Sequence, residues 1–408
     1  MSEGAAQLSI PPEATWGPTF DVGRATDAYI ATVPAADRAR SDAYFEGGYW
    51  IELWSTVVTV AACALLLRFR FAARLRDFAA ARGAGPFVQA LAVAAGFFAA
   101  LAVLTLPWAL YTQYFREHQY GMSNYTMGGY LGEWALFVAI NTAFLGLVVA
   151  GLYRLVRRVR ERWVWWATAA TSVIILFVFM VQPVVLDPLF NDYEPLPSGA
   201  VRDSILALAH ETGIPVDDVY WFDASRQTKR ISANVSGLGG TARIALNDNL
   251  LNGASLPEIR AVMGHEMGHY RLHHGLELAA AFTLILGVGY FVINRLFGRW
   301  QRRHGERLGI RDLADPAGLP LAFAIFSVAI YLLTPVTNTM VRAAEAQADA
   351  YGLDAAKEPH GFASVAMRLS AYRKLEPGAL EEAIFYDHPS GRARVSRSMR
   401  WIAAHPPP

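Results

Sequence analysis

Long apolar runs alternate with short polar segments along most of the chain. A helix needs about 20 apolar residues to cross the hydrocarbon core of a bilayer. Six stretches reach that length, namely residues 47–68, 87–111, 131–152, 164–186, 276–297 and 318–341. The pattern therefore predicts a mainly α fold, a polytopic bundle of about six transmembrane helices.

The composition agrees with a membrane protein. The 408 residues are 54% hydrophobic and only 17% charged, whereas soluble globular domains carry about 25% charged residues. Tryptophans such as Trp50 and Trp163 stand at the ends of spans, as membrane interfaces favour. Buried helices of a large soluble protein are the alternative, but six such runs exceed what one soluble core needs. We expect an integral, multi-pass membrane protein, in the cell membrane if the source is bacterial.

Arginines concentrate in alternate loops, at residues 68–82, 152–163 and 298–317. Basic loops mark the cytoplasmic side of a membrane, so these three loops are predicted to be cytoplasmic. The N-terminus, the segment 187–260 and the C-terminal region would then face outward. The formal net charge is only +1, so no basic field favours binding to nucleic acid.

The first 46 residues are polar and acidic, with seven Asp or Glu against three Arg. They contain no apolar core followed by a small-residue cleavage site, so we do not expect a signal peptide. The prolines of "SIPPEATWGP" favour an extended tail over a helix.

Between the fourth and fifth predicted spans the pattern becomes that of a small α/β element. Residues 197–214 have helical periodicity. The segments 217–224 and 229–237 are typical of short strands. A glycine-rich turn and a further strand follow within 237–248.

The segment "SLPEIRAVMGHEMGHYRLHH" predicts a helix that begins with a capping box of Ser255 and Glu258. On this helix His265 and His269 are four residues apart, so both imidazoles project from one face and can reach one zinc ion. Glu266 stands beside them, where a carboxylate can take a proton from an attacking water and return it to a leaving amine. This is the H-E-x-x-H motif of zinc metallopeptidases.

A catalytic zinc site needs a third protein ligand. A histidine further along the same helix would occur in metzincins, but Leu272 and Gly275 break that pattern. In "VRAAEAQADAYG", after the sixth predicted span, Glu345 and Asp349 are four residues apart. Glu345 could bind zinc and Asp349 could accept the free N–H of a histidine ligand. A solvated acidic face is the alternative.

Two further histidines, His273 and His274, directly precede the fifth predicted span. We interpret them as side chains at the membrane boundary, with a direct role in catalysis or substrate binding as the alternative.

These features divide the chain into five regions. A polar acidic tail (1–46) precedes a region of four spans (47–186). An α/β segment with the H-E-x-x-H helix (187–275) is followed by two further spans (276–341). The third-ligand helix and a C-terminal catalytic segment complete the chain (342–408).

The sequence resembles the integral-membrane zinc metallopeptidases of the CAAX prenyl endopeptidase type. In both, an H-E-x-x-H motif is followed, after two apolar spans, by a segment that reads "EAQAD" here. Four other segments are similar to that family: "LPWALYTQYFREHQYGMS" (106–123), "PVVLDPLFNDYEPLPSG" (183–199), "RISANVSGLGGTARIALNDNLL" (230–251) and "DHPSGRARV" (387–395). The resemblance extends in order over residues 100–395.

The resemblance implies one zinc ion per chain, bound by His265, His269 and Glu345. It implies that Glu266 is the general base and acid and that Asp349 partners a ligating histidine.

The same resemblance implies three roles around the substrate. Asn234 would lie on an edge strand that pairs with an extended peptide. His388 would stabilise the oxyanion of the tetrahedral intermediate, and Arg394 would help to shape the site.

The chain also departs from the family pattern. The strand that reads N-A-Y-F in the family reads "NVSG" at residues 234–237, which affects the details of the peptide pocket. Eukaryotic members have seven spans, whereas six are predicted here. Those members place the zinc on the cytosolic side, whereas the three arginine-rich loops place it outside.

The sequence thus predicts a membrane-embedded zinc metalloendopeptidase of the CAAX prenyl protease type, active in membrane protein processing or quality control. Its substrates would be extended segments of membrane-associated proteins, and the oligomeric state stays open. A transporter that carries a metal past His265, His269 and Glu345 is one alternative, although most spans lack central charges. A non-catalytic protein with structural zinc is another, although structural sites usually have four protein ligands.

Overall fold

The computed structural model describes residues 7–237 and 242–406. Within these residues the helices are α1 (Val22–Ala31), α2 (Ala35–Arg68), α3 (Phe71–Ala81), α4 (Pro86–Ala109), α5 (Arg116–Gln119), α6 (Met127–Val159), α7 (Trp163–Val181), α8 (Ala200–Glu211), α9 (Asp248–Gly253), α10 (Leu256–Arg271), α11 (His274–Leu308), α12 (Leu319–Ala356), α13 (Pro359–Leu369), α14 (Ala379–Phe385) and α15 (Gly391–Ala404). The strands are β1 (Tyr193–Pro195), β2 (Val219–Phe222), β3 (Ala233–Ser236) and β4 (Arg243–Asn247).

Five helical segments of the described chain are long and apolar enough to cross a membrane: Ala35–Arg68, Pro86–Gln119, Met127–Leu189, His274–Leu308 and Pro316–Ala356. The third of these, 63 residues long, contains two predicted spans. Each of the six predicted spans therefore lies in a long apolar helix. The mainly α, membrane-spanning fold predicted from the sequence is confirmed.

The two spans of the longest segment separate at Arg160, whose φ of 46° interrupts the helix between α6 and α7. A left-handed residue cannot continue a right-handed helix, so the chain turns there. The apolar helices α4 and α7 continue into short π-helical segments, Leu110–Phe115 and Gln182–Leu186. Pro107 and Pro183 are close to these changes, consistent with the loss of a backbone donor at each proline.

The three arginine-rich loops meet at one end of the bundle. Arg76 of α3 forms a buried ion pair with Asp315, in the connection between α11 and α12. Arg157 of α6 donates to the backbone oxygen of Ala314 at 3.4 Å. The predicted grouping of these loops on one side is therefore present in the structure, at the ends of α11 and α12 remote from His274 and Ala356.

The N-terminal region differs from the predicted extended tail. Residues 22–46 form α1 and the first part of α2. Tyr29 of α1 is 1% exposed, and its hydroxyl lies 2.9 Å from Nδ1 of His360 in α13. Packing against α13 and α15 stabilises α1. This stabilisation is tertiary, so the prolines that precede α1 in the sequence could not predict it. Residues 1–6 lie outside the described part of the chain.

The predicted α/β element is present. Its sheet has the order β1–β2–β4–β3, with β2 and β4 parallel and the other neighbours antiparallel. Apolar side chains of α8, β2, β4 and α10 form one buried core, so the sheet fixes the position of α10. The predicted turn at 237–241 lies mostly outside the described residues.

A seam of small residues lets α10 approach α12. A Cβ on Gly264 would stand 2.9 Å from the backbone oxygen of Gly352, and one on Gly268 would stand 3.1 Å from Cα of Ala348. Such distances are shorter than packed atoms tolerate, so only glycine allows this backbone contact. The close approach brings the histidines of α10 to the carboxylates of α12.

Candidate active site

His265, His269 and Glu345 converge where α10 and α12 meet. The Nε2 atoms of the two histidines are 3.1 Å apart. Oε2 of Glu345 lies 3.2 Å from Nε2 of His265, and Oε1 lies 3.3 Å from Nε2 of His269. Residues separated by 76 positions in the sequence thus form one cluster whose ligand atoms lie within 4.8 Å of one another.

This geometry fits a divalent metal ion. Ligand atoms about 2.1 Å from a tetrahedral zinc stand about 3.4 Å from each other, close to the spacing in this cluster. Two imidazole nitrogens and a carboxylate oxygen are also the donor set such an ion takes. Burial opposes protonation of His265, but Asp349 and Glu345 outweigh it and raise the pKa of that imidazole to about 9. The cluster therefore attracts positive charge.

Asp349 contacts the His265 ring on the side that faces away from the cluster. Its Oδ1 lies 2.9 Å from Nδ1 of His265, on the side of the ring opposite to the ligand atom. The Asp349 side chain is fully buried, and the guanidinium groups of Arg394 and Arg397 contact it at 2.9 and 3.0 Å. Arg394 also lies 3.2 Å from Oε2 of Glu345. Arg394 therefore neutralises buried carboxylates on α12, a contact that the sequence alone did not define.

Glu266 lines a cavity of about 160 Å³ next to the cluster. Polar walls of the cavity come from His265, His388, Arg373 and Arg394, and the other walls are largely apolar. Desolvation raises the pKa of the Glu266 carboxyl group above its ordinary value. A carboxylate with a raised proton affinity beside an apolar cavity is suited to proton transfer to a bound substrate.

His388 approaches the same cluster from the loop after α14. Its Nε2 lies 3.2 Å from Oε2 of Glu345, and its Nδ1 lies 2.8 Å from Oδ1 of Asp387. Burial lowers the pKa of His388 below the ordinary value. Arg342 of α12 donates to the backbone oxygen of Glu382 in α14 at 2.7 Å and to that of Tyr386, where this loop begins.

Arg373 was not recognised from the sequence. Its guanidinium lies 3.4 Å from Nε2 of His388 and lines the cavity with Glu266. An isolated arginine between α13 and α14 gives no local pattern that would have singled it out.

Asn234 lies on β3, the edge of the sheet, in register with Ala245 of β4. Among the described residues β3 pairs with β4 alone, so its other edge is free of strand partners. The side-chain oxygen of Asn234 is buried and accepts no hydrogen bond from the described residues. A free strand edge with an unsatisfied acceptor can receive an extended peptide.

The two histidines after the motif differ in environment. His273 is exposed, in agreement with a boundary side chain. His274 is only 1% exposed and its Nδ1 lies 3.0 Å from Nδ1 of His269, so the boundary interpretation is wrong for this residue. His273 has a φ of 57° and separates α10 from α11, and helical periodicity cannot be extended across such a break.

The chain combines long apolar helices with a partly buried His–His–Glu cluster, and a glutamate directly follows the first histidine. These features define an integral-membrane metallopeptidase. The models of two protein families match almost the whole chain. Peptidase family M48 matches residues 195–402, and "CAAX prenyl protease N-terminal, five membrane helices" matches residues 25–192. The chain belongs to peptidase family M48.

Individual relatives agree with this assignment. An uncharacterized metalloprotease of Bacillus subtilis, YhfN, is 32% identical over 300 residues, which are 73% of this chain and 70% of that protein. The probable CAAX prenyl protease 1 of Schizosaccharomyces pombe is 25% identical over 294 residues, 70% of this chain and 60% of that protein. The transporter and structural-zinc alternatives are not favoured by these matches.

A solved structure has the same fold. The crystal structure of S. mikatae Ste24p superimposes with a TM-score of 0.74 and covers 90% of this chain and 89% of that one, at 19% sequence identity.

Proposed function

We propose that this membrane metallopeptidase is a zinc endopeptidase that binds one zinc ion per chain through His265, His269 and Glu345. Zinc bound there supplies a Lewis acid, which acidifies water and polarises the scissile carbonyl group. The observation that carries the proposal is the convergence of three side chains between α10 and α12. The two histidine Nε2 atoms are 3.1 Å apart, and each lies 3.2 or 3.3 Å from an oxygen of the Glu345 carboxylate.

Glu266 is the general base in this proposal. Its carboxylate takes a proton from the attacking water and delivers it to the nitrogen of the departing amine. The raised pKa of the carboxyl group supports the assignment, because a stronger base holds the proton between the two steps.

Three residues act around the substrate. His388 stabilises the oxyanion that develops on the scissile carbonyl, with its ring held by Asp387. Asn234 accepts a hydrogen bond from an extended peptide that pairs with β3. Arg394 keeps the carboxylates of Glu345 and Asp349 in place.

The substrates we propose are extended segments of membrane-associated or damaged proteins. The apolar walls of the cavity beside Glu266 favour apolar side chains next to the cleaved bond. Because some relatives are named CAAX prenyl proteases, prenylated peptides are a substrate class to test. The α/β segment 187–275 would supply the peptide-binding strand, and the segment 342–408 would complete the metal site and the oxyanion site.

Zinc content and peptide cleavage, measured together, test the proposal. Glu266→Gln is expected to retain zinc and to lose cleavage by about 10²–10⁴-fold, because it removes the base and leaves the ligands. Glu211→Gln, at an exposed glutamate, is the matched control. A quenched-fluorescent peptide with apolar residues, with and without a prenyl group, serves as substrate. Cleavage by Glu266→Gln at the rate of the wild type would refute the proposal.

A further inference from the structure

His274 is a buried polar side chain that the proposed mechanism does not use. It is the first residue of α11 and is 1% exposed. Its Nδ1 lies 3.0 Å from Nδ1 of His269, and its Nε2 lies 3.2 Å from Oε1 of Gln347. Gln347 stands on α12 between Glu345 and Asp349. The His274 ring thus touches both helices that carry the ligand cluster.

The backbone explains this placement. His273 has a φ of 57°, so the chain changes direction between α10 and α11. The turn brings the His274 ring against His269, and the two ring centroids are 5.1 Å apart at an angle of 73°. The exposed His273 and the buried His274 are neighbours in the sequence but have different surroundings.

One arrangement of protons satisfies both contacts of His274. A His269 ring that offers the lone pair of Nε2 to a metal carries its hydrogen on Nδ1. Nδ1 of His274 must then accept that hydrogen, which leaves the His274 hydrogen on Nε2. Nε2 donates in turn to the carbonyl oxygen of Gln347, an atom that can only accept.

We propose that His274 is a positioning residue that fixes the tautomer and the ring orientation of His269 and is itself held by Gln347. The inference rests on the proposed function in one respect, that His269 is a metal ligand. Asp349 supports His265 in the same way, so each histidine ligand has its own buried partner. One partner is a carboxylate and the other is a neutral imidazole, which limits the negative charge of the site.

Two variants of nearly equal size separate this role from simple packing. His274→Asn keeps an acceptor atom near the position of Nδ1, whereas His274→Leu replaces it with a methyl group. Loss of such a partner typically weakens metal binding by about 10–100-fold. We therefore expect His274→Leu to bind zinc about 10–100-fold more weakly than the wild type, and His274→Asn to retain most of the affinity.

The test uses the full-length protein in detergent micelles, freed of metal and titrated with zinc against a chelator. Cobalt(II) absorption reports the ligand geometry without any measurement of cleavage. His273→Asn is the matched control, because asparagine tolerates the left-handed backbone of that exposed position. Gln347→Leu, which removes only the outer contact, is expected to weaken zinc binding less than His274→Leu does.

The result that supports the inference is weak zinc binding by His274→Leu, with the Asn variant and the His273 control close to wild type. Equal zinc affinity of the wild type and His274→Leu would overturn it, as would equal losses for Leu and Asn. If His274→Leu fails to fold, the other two variants decide. Gln347→Leu should bind zinc more weakly than the wild type and His274→Asn nearly as tightly. Wild-type affinity of Gln347→Leu, or a loss of about 10-fold or more in His274→Asn, would count against the inference. A wild-type protein that binds no zinc would instead refute the proposed function.

Discussion

Gly352 of α12 packs directly against the backbone of His265, and a Cβ on Gly352 would stand 2.7 Å from the His265 nitrogen. The two residues belong to different helices, and His265, the first of the proposed metal ligands, lies at their contact. The separation of α10 and α12 therefore controls whether the ligand cluster can form.

Gly352→Ala is expected to push the two helices apart. Overpacking of this kind costs about 1–3 kcal/mol of stability. Zinc affinity should fall as well, because Glu345 moves away from the histidines. Thermal unfolding and a zinc titration measure the two effects. Gly253→Ala, at a glycine with open space around it, should change neither, and a Gly352→Ala protein with normal zinc affinity would contradict the expectation.

Asp349→Asn is expected to weaken zinc binding by about 10–100-fold. The substitution removes the charge that faces Nδ1 of His265 and leaves two arginines beside a neutral side chain. Chelator competition measures the affinity. Asp354→Asn, on an exposed turn of the same helix, is the control. Wild-type affinity of Asp349→Asn would show that His265 needs no carboxylate partner.

His388→Gln is expected to lower kcat by about 10²–10³-fold, the usual effect of removing one oxyanion donor. Zinc affinity should change little, because His388 is not one of the three ligands. Steady-state cleavage of the fluorescent peptide and zinc content give the two values. His405→Gln, at an exposed histidine, is the control. An unchanged kcat would remove His388 from the proposed mechanism.

Glu258 links the start of α10 to α13, and its contribution to stability should depend on pH. Its carboxylate accepts from the Ser255 N–H at 2.7 Å, Ser364 at 2.7 Å and Arg368 at 2.5 Å. Burial opposes the charge, but Arg368 and Ser255 outweigh it and hold the pKa of Glu258 below its ordinary value.

A lowered pKa in the folded state means that the charge of Glu258 stabilises the protein above about pH 4.3, its unfolded pKa. This contribution is lost as the pH falls through the folded pKa. Glu258→Gln should therefore cost about 1–3 kcal/mol near pH 7 and progressively less below pH 4.3. Unfolding of metal-free wild type and variant across pH measures the difference. A difference that stays constant down to pH 3 would count against this linkage.

We expect the arginine-rich end of the bundle to face the cytoplasm. Cys63 is buried, and it is the only cysteine of the sequence. Labelling of a protein with one added cysteine can therefore be attributed to the added residue. We expect a membrane-impermeant thiol reagent to label Asp217→Cys in intact cells. Arg303→Cys should be labelled only after permeabilisation, because basic loops are retained in the cytoplasm. The opposite labelling pattern would place the metal site on the cytoplasmic side.

The sequence predicted the spans and the motif well because both depend on local spacing. Apolar runs of bilayer length predicted α11 and α12. The i, i+4 spacing predicted that His265 and His269 share one helix face, and likewise Glu345 and Asp349. The capping box of Ser255 and Glu258 at the start of α10 is also present.

Features that depend on tertiary contacts could not be predicted. His274 lies beyond a left-handed residue, so the periodicity of α10 gives no information about its direction. Helix α1 forms because Tyr29 packs against α13, more than 300 residues away in the sequence. Arg373 lines the cavity because of the tertiary fold, and no sequence motif marks this residue.

The order of synthesis has a consequence for this protease. The histidines of α10 are translated before α11 and α12, and Glu345 is near the end of the α12 helix. A nascent chain therefore holds an incomplete site until the hairpin of α11 and α12 has entered the bilayer and folded back. Because His388 and Arg394 are translated after α12, the site that we propose is complete only when the C-terminal segment has also folded against it.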